Sequence, residues 1–197
     1  MPNARVLLLG DFIRLSYQPL LASELAKHGD VEVDVLGPVS STGSSADLAE
    51  TIDRLLDEFK PDVVHFNAGL DDVRWFRAEQ RHAVPIGEYE LNLQRVVDAC
   101  KGRLGNDVIF ALTTPVIDRL QCDQPGTSFD RSNRDIEEYN IAATQIMLAD
   151  NVLINHLDRA IAERDDEYLA PDGVSLTEAG RHRAAAAVAS CITTMLR

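Results

Sequence analysis

The chain has 197 residues, of which 45% are hydrophobic and 26% charged, and its 19 Lys and Arg residues against 32 Asp and Glu residues give a formal net charge of −13. This length and composition predict one globular domain over residues 1–197, and the acidic balance disfavours nucleic acid and anionic membrane surfaces as partners. The apolar run at residues 6–9 is too short for a signal-peptide core or a membrane span, and the three cysteines form no CxxC pair. We therefore expect a cytoplasmic protein with no disulfide framework, no metal site and no cofactor, and we leave open whether it forms an oligomer.

The first third of the chain alternates strand and helix patterns. Residues 6–9 form a continuous apolar run, which predicts a central strand that is buried on both faces. A helix that ends near Gly29 follows, and residues 31–35 then alternate apolar and acidic side chains, as expected for a half-exposed strand nearer the edge. Apolar residues at helical spacing predict a second helix from Leu48 to Phe59.

The alternation continues to the end of the chain. Residues 63–66 predict a buried strand that ends before Asn67, and residues 108–112 predict another that ends before Thr113. Between and after these strands, helical patterns occupy residues 86–104 and 136–147, a short strand pattern occupies residues 152–154, and a closing helix begins at about residue 177. The polar segment from Val116 to about Arg134 is predicted as a long loop, either a functional lid or a disordered surface excursion.

This order of elements predicts a three-layer α/β/α sandwich with a parallel sheet of about five strands. Such sheets place their ligand sites at the carboxyl ends of the strands. We therefore expect the residues that follow the apolar runs to converge at one edge of the sheet: Gly10, Asp11, Asn67 and Thr113.

Three separated segments resemble sequence blocks of the SGNH or GDSL hydrolase superfamily, small flavodoxin-like esterases with a Ser-His-Asp triad. VLLLGDFIRLSY resembles the first block, in which a strand runs into Gly-Asp-Ser, and PDVVHFNAGLDD resembles the third, which supplies an oxyanion asparagine. APDGVSLTEAG resembles the last block, in which Asp-Gly-Val-His-Leu-Thr supplies both acid and base. The order and spacing of the blocks agree over the whole chain, and the resemblance implies a flavodoxin-like fold.

The chain departs from this family pattern at both reacting positions. Phe12 stands where the family has its nucleophilic serine, and Ser175 stands where it has its catalytic histidine, whereas the aspartate position is kept as Asp172. A phenyl ring has neither a proton nor a lone pair to offer in acyl transfer. We therefore predict that family-type esterase activity is absent.

The resemblance leaves two assignments open for the oxyanion hole. Gly43 is similar to the glycine of the second block, and Asn67 is similar to the asparagine of the third. In an alternative register, Asp71 of GLDD occupies the asparagine position of Gly-x-Asn-Asp, and the side-chain donor is then lost. Thr113 and Trp75 are further candidates for lining the pocket.

Several acidic groups and one histidine are candidates for a different, acid–base chemistry. Asp11, Asp71 and Asp172 are predicted to lie near the strand ends, and His65 shares a strand face with Asn67. Each has a structural alternative: Asp11 as a helix N-cap, Asp172 as a turn residue and His65 as a hydrogen-bonded core residue. The neighbouring Asp72 has the alternative of an ion pair with Arg74 or Arg77.

Three functional hypotheses follow from these residues. The first is an SGNH-fold protein without esterase activity that binds a small polar or acylated metabolite in the former active site. The second is a repurposed enzyme that uses Asp11, Asp71, Asp172 or His65 for acid–base chemistry. The third is a non-catalytic scaffold or subunit whose pocket has filled in.

Overall fold

The computed structural model describes residues 3–28 and 32–197. Five parallel strands form one sheet in the order β2-β1-β3-β6-β8, and three short strands form a separate antiparallel sheet in the order β5-β4-β7. In chain order the strands are β1 (Ala4–Leu9), β2 (Val33–Leu36), β3 (Val63–Phe66), β4 (Trp75–Phe76), β5 (Arg81–His82), β6 (Val108–Ala111), β7 (Phe129–Asp130) and β8 (Leu153–Asn155). The predicted parallel sheet of about five strands is confirmed, with a flavodoxin-like strand order.

Helices cover both faces of the five-stranded sheet. In chain order they are α1 (Phe12–Leu25), α2 (Ser45–Phe59), α3 (Ile86–Leu104), α4 (Asp118–Gln121), α5 (Asn133–Ala149), α6 (Leu157–Ala162), α7 (Asp165–Tyr168) and α8 (Glu178–Met195), with a 3-10 turn at Ala26–His28. Helices α1 and α8 pack together, as do α2, α3 and α5, so the fold has three layers. Within the described ranges, no helix is long and apolar enough to cross a membrane.

The interior of the sheet is apolar because its central strands are covered on both faces. Strands β3 and β6 are buried at every position, and the rings of Phe66 and Phe110 meet edge to face at 5.0 Å between centroids. Strand β2 is only half-buried at the sheet edge, as the alternating pattern predicted. The predicted helix end at Gly29 and the strand start at Val31 lie outside the described residues.

The small antiparallel sheet was not predicted from the sequence. Trp75 in β4 pairs with His82 in β5 and with Asp130 in β7, so the segment at residues 116–134 contains a strand and the short helix α4. The interpretation of that segment as a loop without regular structure is therefore wrong. Strands of two residues carry no readable periodicity, and they exist here because distant segments pair with each other.

Candidate functional site

Two polar side chains meet where β1 and β3 end. Asp11 is the N-cap of α1, and its Oδ1 accepts a hydrogen bond from the backbone N–H of Ile13 at 2.8 Å. Its Oδ2 accepts a hydrogen bond from Nδ2 of Asn67 at 2.9 Å, and both residues are almost fully buried. Gly10 is required beside them because a Cβ at that position would overlap the Asn67 carboxamide. The predicted N-cap interpretation of Asp11 is confirmed.

Burial controls the charge of Asp11. Removal from water raises the pKa of its carboxyl to about 6; the backbone hydrogen bond from Ile13 opposes the increase and the nearby charge of Asp71 adds to it. Both carboxyl oxygens accept hydrogen bonds from the protein and the residue is 2% exposed, so little of the Asp11 carboxyl is accessible to a substrate.

The position of the family nucleophile lies at the start of α1. Phe12 is the first residue of the helix, and its half-buried ring packs against the hydrophobic core. The nearest downstream hydroxyl on this helix is that of Ser16, whose Oγ donates to the carbonyl of Ile13 at 2.7 Å. Ser16 is therefore bonded within its own helix.

The turn after β3 carries the second group of acids. Asp72 is fully buried and accepts hydrogen bonds from the backbone N–H of Ser45, the first residue of α2, at 2.9 and 3.1 Å. Its burial raises the pKa of the carboxyl to about 6, against the opposing effect of the bonds from Ser45. The predicted pairing of Asp72 with Arg74 or Arg77 is wrong. The carboxylate instead accepts the backbone N–H at the start of α2, which links the turn after β3 to that helix.

Asp71, by contrast, forms ion pairs at the surface of this turn. Its Oδ1 lies 3.4 Å from an Nη of Arg131 and 3.8 Å from Nε of Arg74. Arg131 is nearly buried: its Nε donates to the carbonyl of Leu70 at 2.8 Å, and its guanidinium lies 4.8 Å from the centre of the Phe129 ring. Arg131 thereby connects the segment at residues 116–134 to the turn that holds Asp71.

The second-block glycine is part of a tight turn. Gly43 has a positive φ of 72°, and its N–H donates to the hydroxyl of Ser41 at 3.0 Å. The loop before it is held by Arg14, which is fully buried and donates to the carbonyl oxygens of Pro38 at 2.9 Å and Ser40 at 2.6 Å. Sequence reasoning missed Arg14 because arginine usually indicates a solvent-exposed position.

The last block forms the turn that its sequence predicts. Oδ1 of Asp172 accepts hydrogen bonds from the N–H groups of Val174 at 3.0 Å and Ser175 at 2.8 Å, and Gly173 takes a positive φ of 77°. Partial burial would raise the pKa of Asp172, but hydrogen bonds from Ser175 and Val174 outweigh it and hold the pKa below its usual value. Asp172 thus orders the turn that contains Ser175.

None of the five histidines lies beside a nucleophile. His65 is fully buried, with Nε2 3.1 Å from Nδ2 of Asn155, and burial lowers its pKa to about 4. In the described parts of the chain, no imidazole is hydrogen-bonded to a serine, threonine or cysteine side chain, and the exposed histidine in the 3-10 turn has no such bond either. The other three histidines lie near carboxylates: His82 near Asp135, His156 near Asp158 and His182 near Glu24.

The remaining two candidates, Thr113 and Trp75, make structural contacts. Thr113 is buried, and its Oγ1 donates to the carbonyl of Ala68 at 3.3 Å. Trp75 is half-buried in the small sheet, where its ring meets that of His82 edge to face at 5.0 Å. No cluster of three potential metal ligands occurs within residues 3–28 and 32–197.

The structure brings some of the predicted site residues together and separates others. Asp11, Asn67 and Asp71 are neighbours, and Phe12 follows Asp11 directly. His65 is enclosed in the sheet layer, whereas the N–H of Thr42, the residue before Gly43, donates to the carbonyl of Gly10 at 2.9 Å and holds that loop beside Asp11. The sequence analysis did not single out Arg131, because an arginine in a polar segment before a helix has no feature that distinguishes it from a solvent-exposed residue.

These features define a class of protein: a three-layer α/β fold with a flavodoxin-like sheet and a polar network at the carboxyl ends of β1 and β3. The profile of the GDSL-like Lipase/Acylhydrolase family matches residues 10–183. The chain therefore belongs to the GDSL-like lipase/acylhydrolase family. No curated protein matches the sequence significantly.

Solved structures agree with this assignment. A lipase/acylhydrolase from Enterococcus faecalis superimposes with a TM-score of 0.81 at 20% identity, covering 97% of this chain and 96% of its own. The acetyl xylan esterase AlAXEase gives a TM-score of 0.75 at 19% identity over 95% and 99% of the two chains. The acetylxylan esterase Axe2 from Geobacillus stearothermophilus gives 0.74 at 21% identity over 96% and 94%. At these identities the likeness establishes the SGNH hydrolase fold.

Two further structures bear on the catalytic positions of that Geobacillus enzyme. They are described as catalytic mutants in which alanine replaces a histidine or a serine.

Proposed function

We propose that this chain keeps the SGNH hydrolase fold without its serine esterase chemistry, and that its former active site binds a small polar or acylated metabolite. One observation carries the first half of the proposal. Phe12 begins the helix at the nucleophile position, and in the described residues no hydroxyl or thiol side chain is paired with an imidazole.

The chemistry explains why that observation matters. A serine attacks a carbonyl near neutral pH only when a base within hydrogen-bond reach removes its proton. Loss of a triad nucleophile or base typically lowers turnover by about 10⁶, and oxyanion donors with binding alone leave about 10³–10⁴ over water. The chain lacks both groups at their family positions, and Ser16 is occupied by its own helix.

Acid–base chemistry by the remaining groups has little structural support. Asp11 has a pKa near neutrality, but both its oxygens are bonded within the protein and it is 2% exposed. His65 has no exposed surface, and the one Asp172 oxygen that takes part in the turn is held by two backbone N–H groups. A general acid or base must reach the proton that it transfers. Asp11 and His65 are enclosed, whereas Asp172 is exposed and uses one of its oxygens to order the turn.

The surface that stays accessible favours binding. Phe12 and Ser175 are half-buried, and the Asp71 side chain is 19% exposed beside the guanidinium groups of Arg74 and Arg131. An aromatic face next to oriented charges suits a ligand with a small apolar or acyl part and a polar part. We infer that Asp71 occupies the oxyanion asparagine position, because Asn67 is 6% exposed and bonded to Asp11, whereas the Asp71 side chain is 19% exposed.

One observation favours a scaffold as the second candidate. The carboxyl of Asp11 and the carboxamide of Asn67 are almost fully buried and bonded to each other, which is how a filled site satisfies its polar groups. The two candidates differ in whether any metabolite stabilises the folded chain.

The catalytic half is tested with a fluorophosphonate probe and 4-nitrophenyl acetate. We expect neither covalent labelling nor enzyme-dependent turnover by the natural chain. Labelling that disappears in a Ser16→Ala variant would show that a displaced serine has become the nucleophile, and the proposal would fall. The double variant Phe12→Ser with Ser175→His is expected to gain turnover, since Asp172 and the turn that would orient a histidine are retained.

The binding half is tested by a thermal-shift screen with small esters, sugars and acylated metabolites. A ligand that binds only the folded state raises Tm. We expect at least one compound to raise the Tm of the natural chain and to lose that effect in Asp71→Ala, with the exposed Glu90→Gln as control. A screen without any Asp71-dependent shift would favour the scaffold.

A further inference from the structure

A cavity lies farther along the carboxyl edge of the sheet, beside β6 and β8 rather than beside β1 and β3. It has a volume of about 530 Å³ and is formed between α5, α6 and the ends of β6 and β8. Thr113, a predicted pocket residue, contributes to its lining, whereas Asp11, Phe12, Asn67, Asp71 and Ser175 do not. The volume is in the range of small-molecule sites, which run from about 300 to 1,000 Å³.

The lining of this cleft is predominantly apolar. Leu112 and Ile136 are buried in its floor, and Ile141 is 53% exposed on α5 although it is a large aliphatic residue. Apolar surface that is both concave and exposed favours a bound apolar group, because contact removes that surface from water.

One wall of the cleft is rigid before any ligand arrives. The carboxamide of Asn140 bonds both the N–H and the carbonyl of Thr113, at 2.8 and 3.0 Å, and that of Asn133 does the same for Val116, at 3.0 and 2.7 Å. These two asparagines anchor α5 to the segment that follows β6. A preformed wall reduces the conformational entropy that binding has to overcome.

One carboxylate in the lining lacks a hydrogen bond within the described part of the chain. Asp158 accepts no hydrogen bond from the described residues, its Oδ1 is covered, and its side chain is 26% exposed overall. Nδ1 of His156 lies 3.8 Å from its Oδ1, beyond hydrogen-bond distance. A half-buried carboxylate in this state gains most from a ligand that donates a hydrogen bond from a cationic nitrogen.

The other charged groups of the lining have both signs. Glu137 adds a second carboxylate, and Arg159, the basic residue in the lining, is exposed. The chain as a whole carries a formal net charge of −13, which raises the local concentration of cations near its surface.

We propose that this cleft, formed by the α5 face around Ile141 and by Asp158 at the start of α6, binds a small molecule with an apolar body and one protonated amine. The apolar body lies on the floor formed by Leu112 and Ile136, and the ammonium group meets Asp158. The assignment is independent of whether the former active site binds anything.

The test compares three probes of one shape, 4-phenylbutylamine, 4-phenylbutanol and 4-phenylbutyrate, by calorimetric titration of the full chain. The amine is expected to bind saturably, the alcohol more weakly and the acid least. In Asp158→Asn the affinity for the amine is expected to fall by about tenfold or more, the amount that one charge-assisted hydrogen bond contributes. The control Glu90→Gln removes one exposed charge elsewhere and is expected to leave the affinity unchanged.

A second variant tests the location rather than the charge. Ala162→Trp fills the cleft from an exposed position at the end of α6, so all probes are expected to lose binding while Tm stays near that of the natural chain. Three outcomes overturn the proposal: no saturable binding of the amine, amine binding that neither variant weakens, or tighter binding of the acid than of the amine. Loss of amine binding in both variants at unchanged Tm supports it, whatever the thermal-shift screen shows for Asp71.

Discussion

The two ends of the sheet edge differ in how their polar groups are satisfied. At the ends of β1 and β3, Asp11 bonds Asn67, Asp72 bonds the start of α2, and Asp71 pairs with Arg131. At the ends of β6 and β8, a cleft of about 530 Å³ contains the carboxylate of Asp158 without a hydrogen bond from the described residues. The family sequence blocks thus contain the acids whose hydrogen bonds or ion pairs are made within the protein. The cleft, with its carboxylate at Asp158, lies outside those blocks.

The largest loss of stability is expected from breaking the buried contacts of Arg131. Arg131→Met keeps contact with the Phe129 ring but leaves Asp71 and the carbonyl of Leu70 without their donors, so we expect the free energy of unfolding to fall by about 3 kcal/mol. Arg103→Met is the matched control: it removes an exposed arginine paired with Asp53, and its cost is expected below about 1 kcal/mol. Urea unfolding measures both free energies. Equal losses would mean that the buried contacts of Arg131 stabilise the fold no more than the exposed ion pair of Arg103 does.

A second prediction concerns which residue stands at the oxyanion position. In the background of Phe12→Ser with Ser175→His, the added change Asp71→Asn is expected to raise kcat for 4-nitrophenyl acetate by about 10²-fold, because one oxyanion donor contributes about that much. Asn67→Ala in the same background serves for comparison. If it abolishes turnover while Asp71→Asn changes nothing, then Asn67 and not Asp71 supplies the donor.

The third prediction tests the buried charge at Asp11. Its pKa of about 6 in the folded state lies above the ordinary value of 3.8, so the folded state holds the proton more tightly than the unfolded state does. The stabilising contribution of the proton is therefore present below about pH 4 and is lost as pH rises to about 6, at a cost on the order of 2–3 kcal/mol.

Asp11→Asn removes this dependence. The new carboxamide keeps an oxygen for the N–H of Ile13, and a rotated Asn67 side chain turns its unpartnered Oδ1 towards the new N–H group. We expect Tm to rise relative to the natural chain at pH 8 and to change little at pH 4. The same shift at both pH values would contradict a charge effect, and Glu90→Gln controls for the loss of net charge.

The smallest expected effects come from two helical glycines. A Cβ at Gly180 in α8 would overlap the carbonyl of Tyr168, which belongs to the turn before the last block, so Gly180→Ala is expected to destabilise the chain by about 1–3 kcal/mol. A Cβ at Gly102 in α3 meets open space, so Gly102→Ala is expected to stabilise it by up to about 1 kcal/mol. Thermal unfolding distinguishes the signs, and a stabilising Gly180→Ala would show that the turn at Tyr168 gives way.

The polar candidates show how far sequence reasoning reached. The N-cap at Asp11 and the turn at Asp172 involve partners two or three residues away, and both were predictable. The partner of Asp72 is 27 residues away and that of Asp71 is 60, and the sequence pairing proposed for Asp72 was wrong. Local hydrogen bonds follow from residue type and spacing, whereas distant ones depend on which segments the fold brings together.

The sequence by itself determined the alternation of strands and helices and the parallel sheet, because hydrophobic periodicity is a local property. From the sequence blocks it also predicted that Phe12 and Ser175 stand at the two reacting positions of the family. Only the tertiary structure decided that His65 is enclosed, that Arg131 joins the segment at residues 116–134 to Asp71, and that the open cleft lies beside α5 and α6. Those features arise from contacts between residues far apart in the chain, and Gly102 and Gly180 illustrate the difference: both occupy helices, and only their surroundings distinguish them.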